Sequence, residues 1–164
     1  MIKIISSYLP KKDFEELQKL IMWNTNFPFY LNKTIAEKDE KISSVHSFYA
    51  VHGIYQQDIP QSSHYSYFSK LFKPLLRWTS LLRIKVNFYP GTSKIHEHGL
   101  HTDYPFPHKG ALLAVNTCNG FTRLKNRTIK SVANQMILFD PSKPHNSTTC
   151  TDEKGRWTIN FNYF

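Results

Sequence analysis

The sequence predicts a mostly β protein with helices towards its N-terminal end, α+β in the broad sense, on three observations. Apolar residues in the first eighty positions recur at helical spacing, at Phe14, Leu17, Leu20 and Ile21 and again at Phe68, Leu71, Phe72, Leu75 and Leu76. From position 82 the period changes, and Leu82-Arg83-Ile84-Lys85-Val86-Asn87-Phe88-Tyr89 alternates strictly. The C-terminal stretch Arg156–Phe164 alternates again. Helices first and short strands after predict a small barrel or sandwich with the helices packed outside it.

The elements follow in order. Pro10 suits a helix start, and Asp13, Glu15 and Glu16 complement the positive end of the helix dipole. Residues 32–47 are polar and charged and read as loop, with a short strand near Val45–Val51. A second helix is expected over Tyr65–Trp78, with Pro74 kinking it or splitting it in two. After the 82–89 strand, Pro90-Gly91 turns the chain; Ala111–Asn116 and Met136–Phe139 are buried apolar runs, and Asn119-Gly120 reads as a turn. A length of 164 residues accommodates one domain. Within it, 1–80 is expected to be a helical and mixed support region and 81–164 the functional core.

Lys and Arg number 21 against 12 Asp and Glu, a formal charge of +9 that favours anionic partners and says nothing about fold. No apolar run approaches the eighteen or so residues of a spanning helix, and Met1-Ile2-Lys3-Ile4-Ile5 is too short for a signal peptide. Cys118 and Cys150 have no CxxC or zinc-ribbon spacing and read as free thiols in a reducing compartment. The expectation is a soluble cytoplasmic protein without membrane contact (host cytoplasm, if the source is a bacteriophage).

Four of the eight histidines fall between positions 96 and 108. On a strand, residues two apart point the same way, so His101 and Asp103 can aim an imidazole and a carboxylate at one point. Downstream, Phe139-Asp140-Pro141-Ser142-Lys143-Pro144-His145 places a histidine just after a buried strand and a proline-rich turn. Two His and one carboxylate with open positions are the arrangement of non-haem Fe(II) oxygenases. Arg156 and Thr158, on one face of the last strand, add a two-pronged donor and a hydroxyl for a carboxylate. A polar strand face inside a small barrel costs stability unless a polar ligand occupies it.

Residues 82–164 resemble the catalytic core of the Fe(II)/2-oxoglutarate-dependent oxygenases, most closely the prolyl-hydroxylase branch in its compact bacterial or bacteriophage form. Five elements carry the resemblance in order: Asn87-Phe88-Tyr89-Pro90-Gly91, His101-Thr102-Asp103, Asn119-Gly120-Phe121-Thr122-Arg123-Leu124, Ile137-Leu138-Phe139-Asp140 leading to His145, and Arg156-Trp157-Thr158. The resemblance implies a double-stranded β-helix (jelly-roll) core buttressed by helices. It implies Fe(II) on His101, Asp103 and His145. It also implies 2-oxoglutarate on Arg156 with Thr158 and with Tyr89 or Asn87, and O2 as the oxidant. The implied reaction hydroxylates a prolyl or other peptide residue, or a small molecule, with release of succinate and CO2. Tyr104 and Phe106 in the proline-stiffened Tyr104-Pro105-Phe106-Pro107-His108 segment, with Asn160 and Asn162, are candidate substrate contacts. Asn119 replaces the first glycine of the family's turn, Gln135 stands where a glycine is common, and the interval from Tyr89 to His101 is long and holds His96 and His98.

Two other readings use the same residues. Gly91, His96-x-His98, Asp103 and His145 loosely imitate a cupin metal site, which needs no 2-oxoglutarate and leaves Arg156-x-Thr158 without a role. Asn87-x-Tyr89 is similar to the AlkB-type nucleic-acid demethylases, but their second Arg, six residues after the anchor, is Asn162 here. Arg123, Lys125, Arg127 and Lys130 cluster on an expected hairpin without any known nucleic-acid motif, so a nucleic-acid partner is not favoured.

Overall fold

A computed structural model describes residues 2–33 and 48–164. The chain runs β1 (Lys3–Ile5), α1 (Lys11–Met22), β2 (Tyr30–Asn32), β3 (Tyr49–Gln56), β4 (Ile59–Pro60), α2 (Tyr65–Leu76), β5 (Leu81–Pro90), β6 (Lys109–Ala114), β7 (Cys118–Leu124), β8 (Arg127–Ser131), β9 (Gln135–Phe139), β10 (His145–Ser147) and β11 (Gly155–Tyr163). Among the described residues, strands β1-β9-β6-β11-β5-β3-β2 form one sheet in that order, with β4 beside β3, and β10-β7-β8 form a second. Every strand pair is antiparallel. Among the described residues no helix is long and apolar enough to cross a membrane.

The two alternating segments lie side by side. In the β5–β11 register Tyr89 faces Arg156, Asn87 faces Thr158, Lys85 faces Asn160 and Arg83 faces Asn162. The apolar residues between them point to the other face, where Ile84, Val86, Ile159 and Phe161 pack with Phe14, Leu17 and Ile21 of α1 and Phe68, Phe72 and Leu76 of α2. Phe72 and Phe161 meet with ring centroids 4.6 Å apart. Each such buried side chain contributes roughly 2 kcal/mol of transfer free energy. The helices therefore cover the apolar face of the large sheet and leave its polar face to the small one.

Several local expectations are corrected. The α2 helix runs through Pro74 unbroken and ends two residues later, with Arg77 in the left-handed region at φ 53°. Proline in the last turn removes one backbone donor near an end, which costs less than the same loss mid-helix. Leu75 is exposed, so the buried stripe is the narrower Phe68, Phe72 and Leu76. In the first half, expected to be helical and mixed, β1 to β4 all join the large sheet. Of the strand expected near Val45–Val51, residues 45–47 lie outside the described residues; the strand present is Tyr49–Gln56. Asn119-Gly120 is not a turn but part of β7, with a register irregularity between Cys118 and Phe121, and Gly120 has no positive φ. The turn falls at Lys125, whose φ is 53°.

Candidate active site

His101 and Asp103 do not sit on a regular strand. Residues 91–108 form an extended loop laid along β10 and its flanks by isolated bridges, Gly91 to Cys150, Glu97 to Thr148 and His101 to His145. His101 and His145 exchange both backbone hydrogen bonds at 2.9 Å, and Asp103 N–H donates to the Pro141 carbonyl at 3.0 Å. This pairing does what strand alternation was expected to do. One donor atom each from His101, Asp103 and His145 lies within 4.8 Å of the others. His145 opens β10 directly after the 140–144 turn, where Asp140 Oδ1 accepts from Ser142 N and Oγ.

Each imidazole is oriented by its own backbone. His145 Nδ1 lies 2.9 Å from the Lys143 carbonyl and His101 Nδ1 3.3 Å from that of Gly99. A carbonyl only accepts, so in both rings Nδ1 carries a proton and Nε2 is the nitrogen left for a metal. Burial first, then the neighbouring His145, pushes His101 down to about 4, leaving a neutral ring at neutral pH. Burial alone would raise the Asp103 carboxyl, but Arg83 first, then Lys85 and His145, hold it well below the usual carboxylate range. Arg83 Nη2 stands 2.7 Å from Asp103 Oδ1. Asn160 and Asn162 donate to Oδ2 at 3.1 and 2.8 Å. Asn162 also meets His108 Nε2 at 3.0 Å and is fully buried, so its amide orients Asp103 and does not face the mouth.

Arg156 is 1% exposed. Its Nη2 donates to Thr122 Oγ1 at 2.6 Å and its Nη1 to the Thr148 carbonyl at 3.4 Å, both neutral acceptors, and Nε has no partner. Among the described residues no carboxylate pairs with it. The Tyr89 ring lies 5.7 Å from its guanidinium carbon, and burial pushes the Tyr89 phenol up to about 12, so it stays a neutral donor. Asn87 donates to Thr158 Oγ1 at 3.2 Å, and the Asn87 and Asn160 amide oxygens are buried without partners. One cavity of about 30 Å3 touches Arg156, Tyr89, Asn87, Thr158, His101 and His145.

The alternation had placed Arg83 and Lys85 on the same face as Asn87 and Tyr89, but it gave them no role at the site. Thr122 was visible only as part of a motif. His98, in the long interval between Tyr89 and His101, is buried against Tyr89 with ring centroids 5.3 Å apart, and its Nδ1 meets Ser147 Oγ at 2.9 Å. It does not join the trio, which removes the cupin-like ligand set. Arg123 of the basic hairpin grips Glu97 with two prongs, Nη2 to Oε2 at 2.9 Å. Tyr104 and Phe106 stack on one another, Tyr104 lies under Arg83, and Phe106 is partly exposed beside Phe164. Cys118, Cys150 and Asp152 form a second convergence, with both thiols free and buried.

No family model matches the chain, and no curated protein matches it by sequence. Solved structures do. A prolyl hydroxylase from Trichoplax adhaerens, solved with a hypoxia inducible factor peptide fragment, matches 99% of this chain and 83% of its own at TM-score 0.67 and 18% identity. An oxidoreductase of the 2OG-Fe(II) oxygenase family from Burkholderia pseudomallei matches 99% and 84% at TM-score 0.66 and 11% identity. The Pseudomonas putida prolyl-4-hydroxylase matches 99% and 91% at TM-score 0.63 and 12% identity. The chain has the fold of the 2OG-Fe(II) oxygenases. Its jelly-roll core, built from the large and small sheets, is the expected one. At these identities the likeness is one of fold, and the chemistry is argued from this chain's own residues.

Proposed function

We propose that residues 1–164 form one catalytic unit, an Fe(II)- and 2-oxoglutarate-dependent dioxygenase that hydroxylates a C–H bond and releases succinate and CO2. The observation that carries this reading is Arg156, a buried cation without a carboxylate partner in the cavity that His101 and His145 line. An isolated charge is expensive to bury, so the fold is built to receive an anion there. His101, Asp103 and His145 supply two imidazole nitrogens and a carboxylate oxygen, a donor set suited to Fe(II) with positions left open.

When bound, the metal and 2-oxoglutarate would supply oxygen activation and the oxidising equivalents for hydroxylation. The chain's own part is binding and orientation. Arg156 and the Tyr89 phenol take the far carboxylate, with Thr158 and Thr122 as hydroxyl partners. The Asn87 and Asn160 amide oxygens in the same cavity lack partners, and since a dicarboxylate offers no donor, water or a turned amide must satisfy them. At about 30 Å3 that space admits a dicarboxylate only if lining side chains turn. The Trichoplax enzyme was solved with a peptide, and a prolyl or other peptide residue is the substrate class to test first. Tyr104 and Phe106 form an aromatic wall beside Arg83 suited to that role.

The test is an anaerobic titration of Fe(II)-loaded protein with 2-oxoglutarate. The expected result is an absorption band that needs both components and is lost in His101→Ala and Asp103→Ala. A protein that binds iron yet shows no 2-oxoglutarate-dependent band is not an enzyme of this class.

A further inference from the structure

Among the described residues Arg156 is not the only cation on this face without an ion-paired carboxylate. Lys85 lines the same cavity. It sits across the β5–β11 pair from Asn160, which donates to Asp103, so it marks the metal end of the space. Tyr89, which faces Arg156, lies four residues further along β5, roughly 13 Å at the usual strand rise. The charged and titratable groups near the Lys85 amine are Arg83, Tyr49, which shares a hydrogen bond with it, Asp103 and His101. Asp103 is already engaged by Arg83, Asn160 and Asn162, and among the described residues no carboxylate lies within ion-pair distance of Lys85. Its amine rests 5.6 Å from the Tyr49 ring centre. A divalent metal and a dicarboxylate cancel one another's charge, so filling the proposed site leaves Lys85 uncompensated.

We propose that Lys85 is a specificity-determining residue that binds a carboxylate at the metal end of the cavity, so that the substrate presents an anionic group there. This rests on the oxygenase reading above and deepens it. The carboxylate could come from the substrate or from the metal-side end of 2-oxoglutarate, and the experiment separates the two. Lysine suits either as a point charge on a flexible stem, and a neutral methionine keeps most of the stem's bulk.

The probe is trifluoroacetate, a simple carboxylate, added to protein loaded with Mn(II) and saturating 2-oxoglutarate. Fluorine bound near the paramagnetic metal broadens, and the broadening saturates with a measurable affinity. The expected result is saturable broadening in the wild type, about tenfold or more weaker in Lys85→Met and retained within about threefold in Lys85→Arg. Equal broadening in Lys85→Met, or none that saturates in the wild type, overturns the proposal. A separate titration reads 2-oxoglutarate affinity from water-proton relaxation. If Lys85→Met weakens 2-oxoglutarate itself by about tenfold, Lys85 serves the cosubstrate and the substrate assignment is overturned. If the free Mn(II) spin-resonance signal is not reduced by wild-type protein, the oxygenase reading has failed, and Lys85 with it. Lys85→Gln replaces Lys85→Met should circular dichroism show that the latter is unfolded.

Discussion

Gly120 is the seat of Arg156. A Cβ at position 120 would stand 2.9 Å from Arg156 Cδ and 2.7 Å from the Thr149 carbonyl oxygen. The arginine stem is flexible, but the backbone carbonyl behind it is not, so a methyl there must push Arg156 out of line. Gly120→Ala should cost about 1–3 kcal/mol in urea unfolding, the usual penalty for overpacking. It should also weaken 2-oxoglutarate about tenfold or more by displacing the guanidinium. Full 2-oxoglutarate affinity in this variant would mean that the anion does not depend on where Arg156 sits.

Arg156 itself should behave unlike an ordinary buried side chain. Truncating a buried ion-paired group is usually costly because its partner is stranded, but Arg156 has no carboxylate to strand. Arg156→Met should leave the ligand-free protein as stable as the wild type or more so. The stabilisation that 2-oxoglutarate gives the metal-loaded wild type, about 2.7 kcal/mol at a hundredfold excess over Kd, should vanish. Thermal unfolding with and without 2-oxoglutarate reads both effects, and a ligand-free loss above about 3 kcal/mol would show that Arg156 is structural.

His98 predicts an acid-side loss of stability. Burial first, then the Arg156 charge, pushes its imidazole down from 6.5 to about 3. A depressed folded value means that the unfolded chain binds the proton more readily. The contribution of His98 is therefore complete above pH 6.5 and declines as pH falls towards 3. Between pH 7 and pH 5 the loss from this residue is about 2 kcal/mol. His98→Phe, which preserves the stack on Tyr89, should flatten the pH dependence of urea unfolding by that amount. An unchanged slope would mean that His98 is already protonated, or exposed, in the folded state.

Much of this site is legible in the chain because β5 and β11 alternate without interruption. Arg83, Lys85, Asn87 and Tyr89 on one strand and Arg156, Thr158, Asn160 and Asn162 on the other read as two polar faces, and pairing brings them together. His101, Asp103 and His145 converge as the spacing suggested, although by loop pairing along β10. What the chain conceals is long-range. Asn119-Gly120 carries a turn composition, yet its glycine is explained by the approach of Arg156, which lies 36 positions away. The charge matching is equally hidden, because nothing local says that Arg83 has a carboxylate and Lys85 does not. In the first half β3 was hard to read, since the buried His52 interrupts its apolar pattern; its Nε2 is satisfied by Ser62 Oγ at 2.7 Å.

The Arg83–Asp103 pair allows the structural and ligand roles of Asp103 to be measured apart. Both side chains are largely shielded from water, with Asp103 only 3% exposed. Asp103→Leu removes a proposed metal ligand and also strands the Arg83 guanidinium, so metal binding should vanish and stability should fall by about 3–5 kcal/mol. Arg83→Met keeps all three proposed ligands and should still bind metal, with the carboxylate held by Asn160, Asn162 and the nearby Lys85 charge. The double variant removes both charges and should recover part of that loss, because no buried charge is left stranded, although the Asn160 and Asn162 amides still lack the acceptor that Asp103 gave them. It should nonetheless bind no metal, since the carboxylate oxygen is gone. A folded double variant that still takes up Mn(II) at wild-type affinity would rule out Asp103 as a ligand. A single-variant loss below about 1 kcal/mol would instead show that water screens the pair.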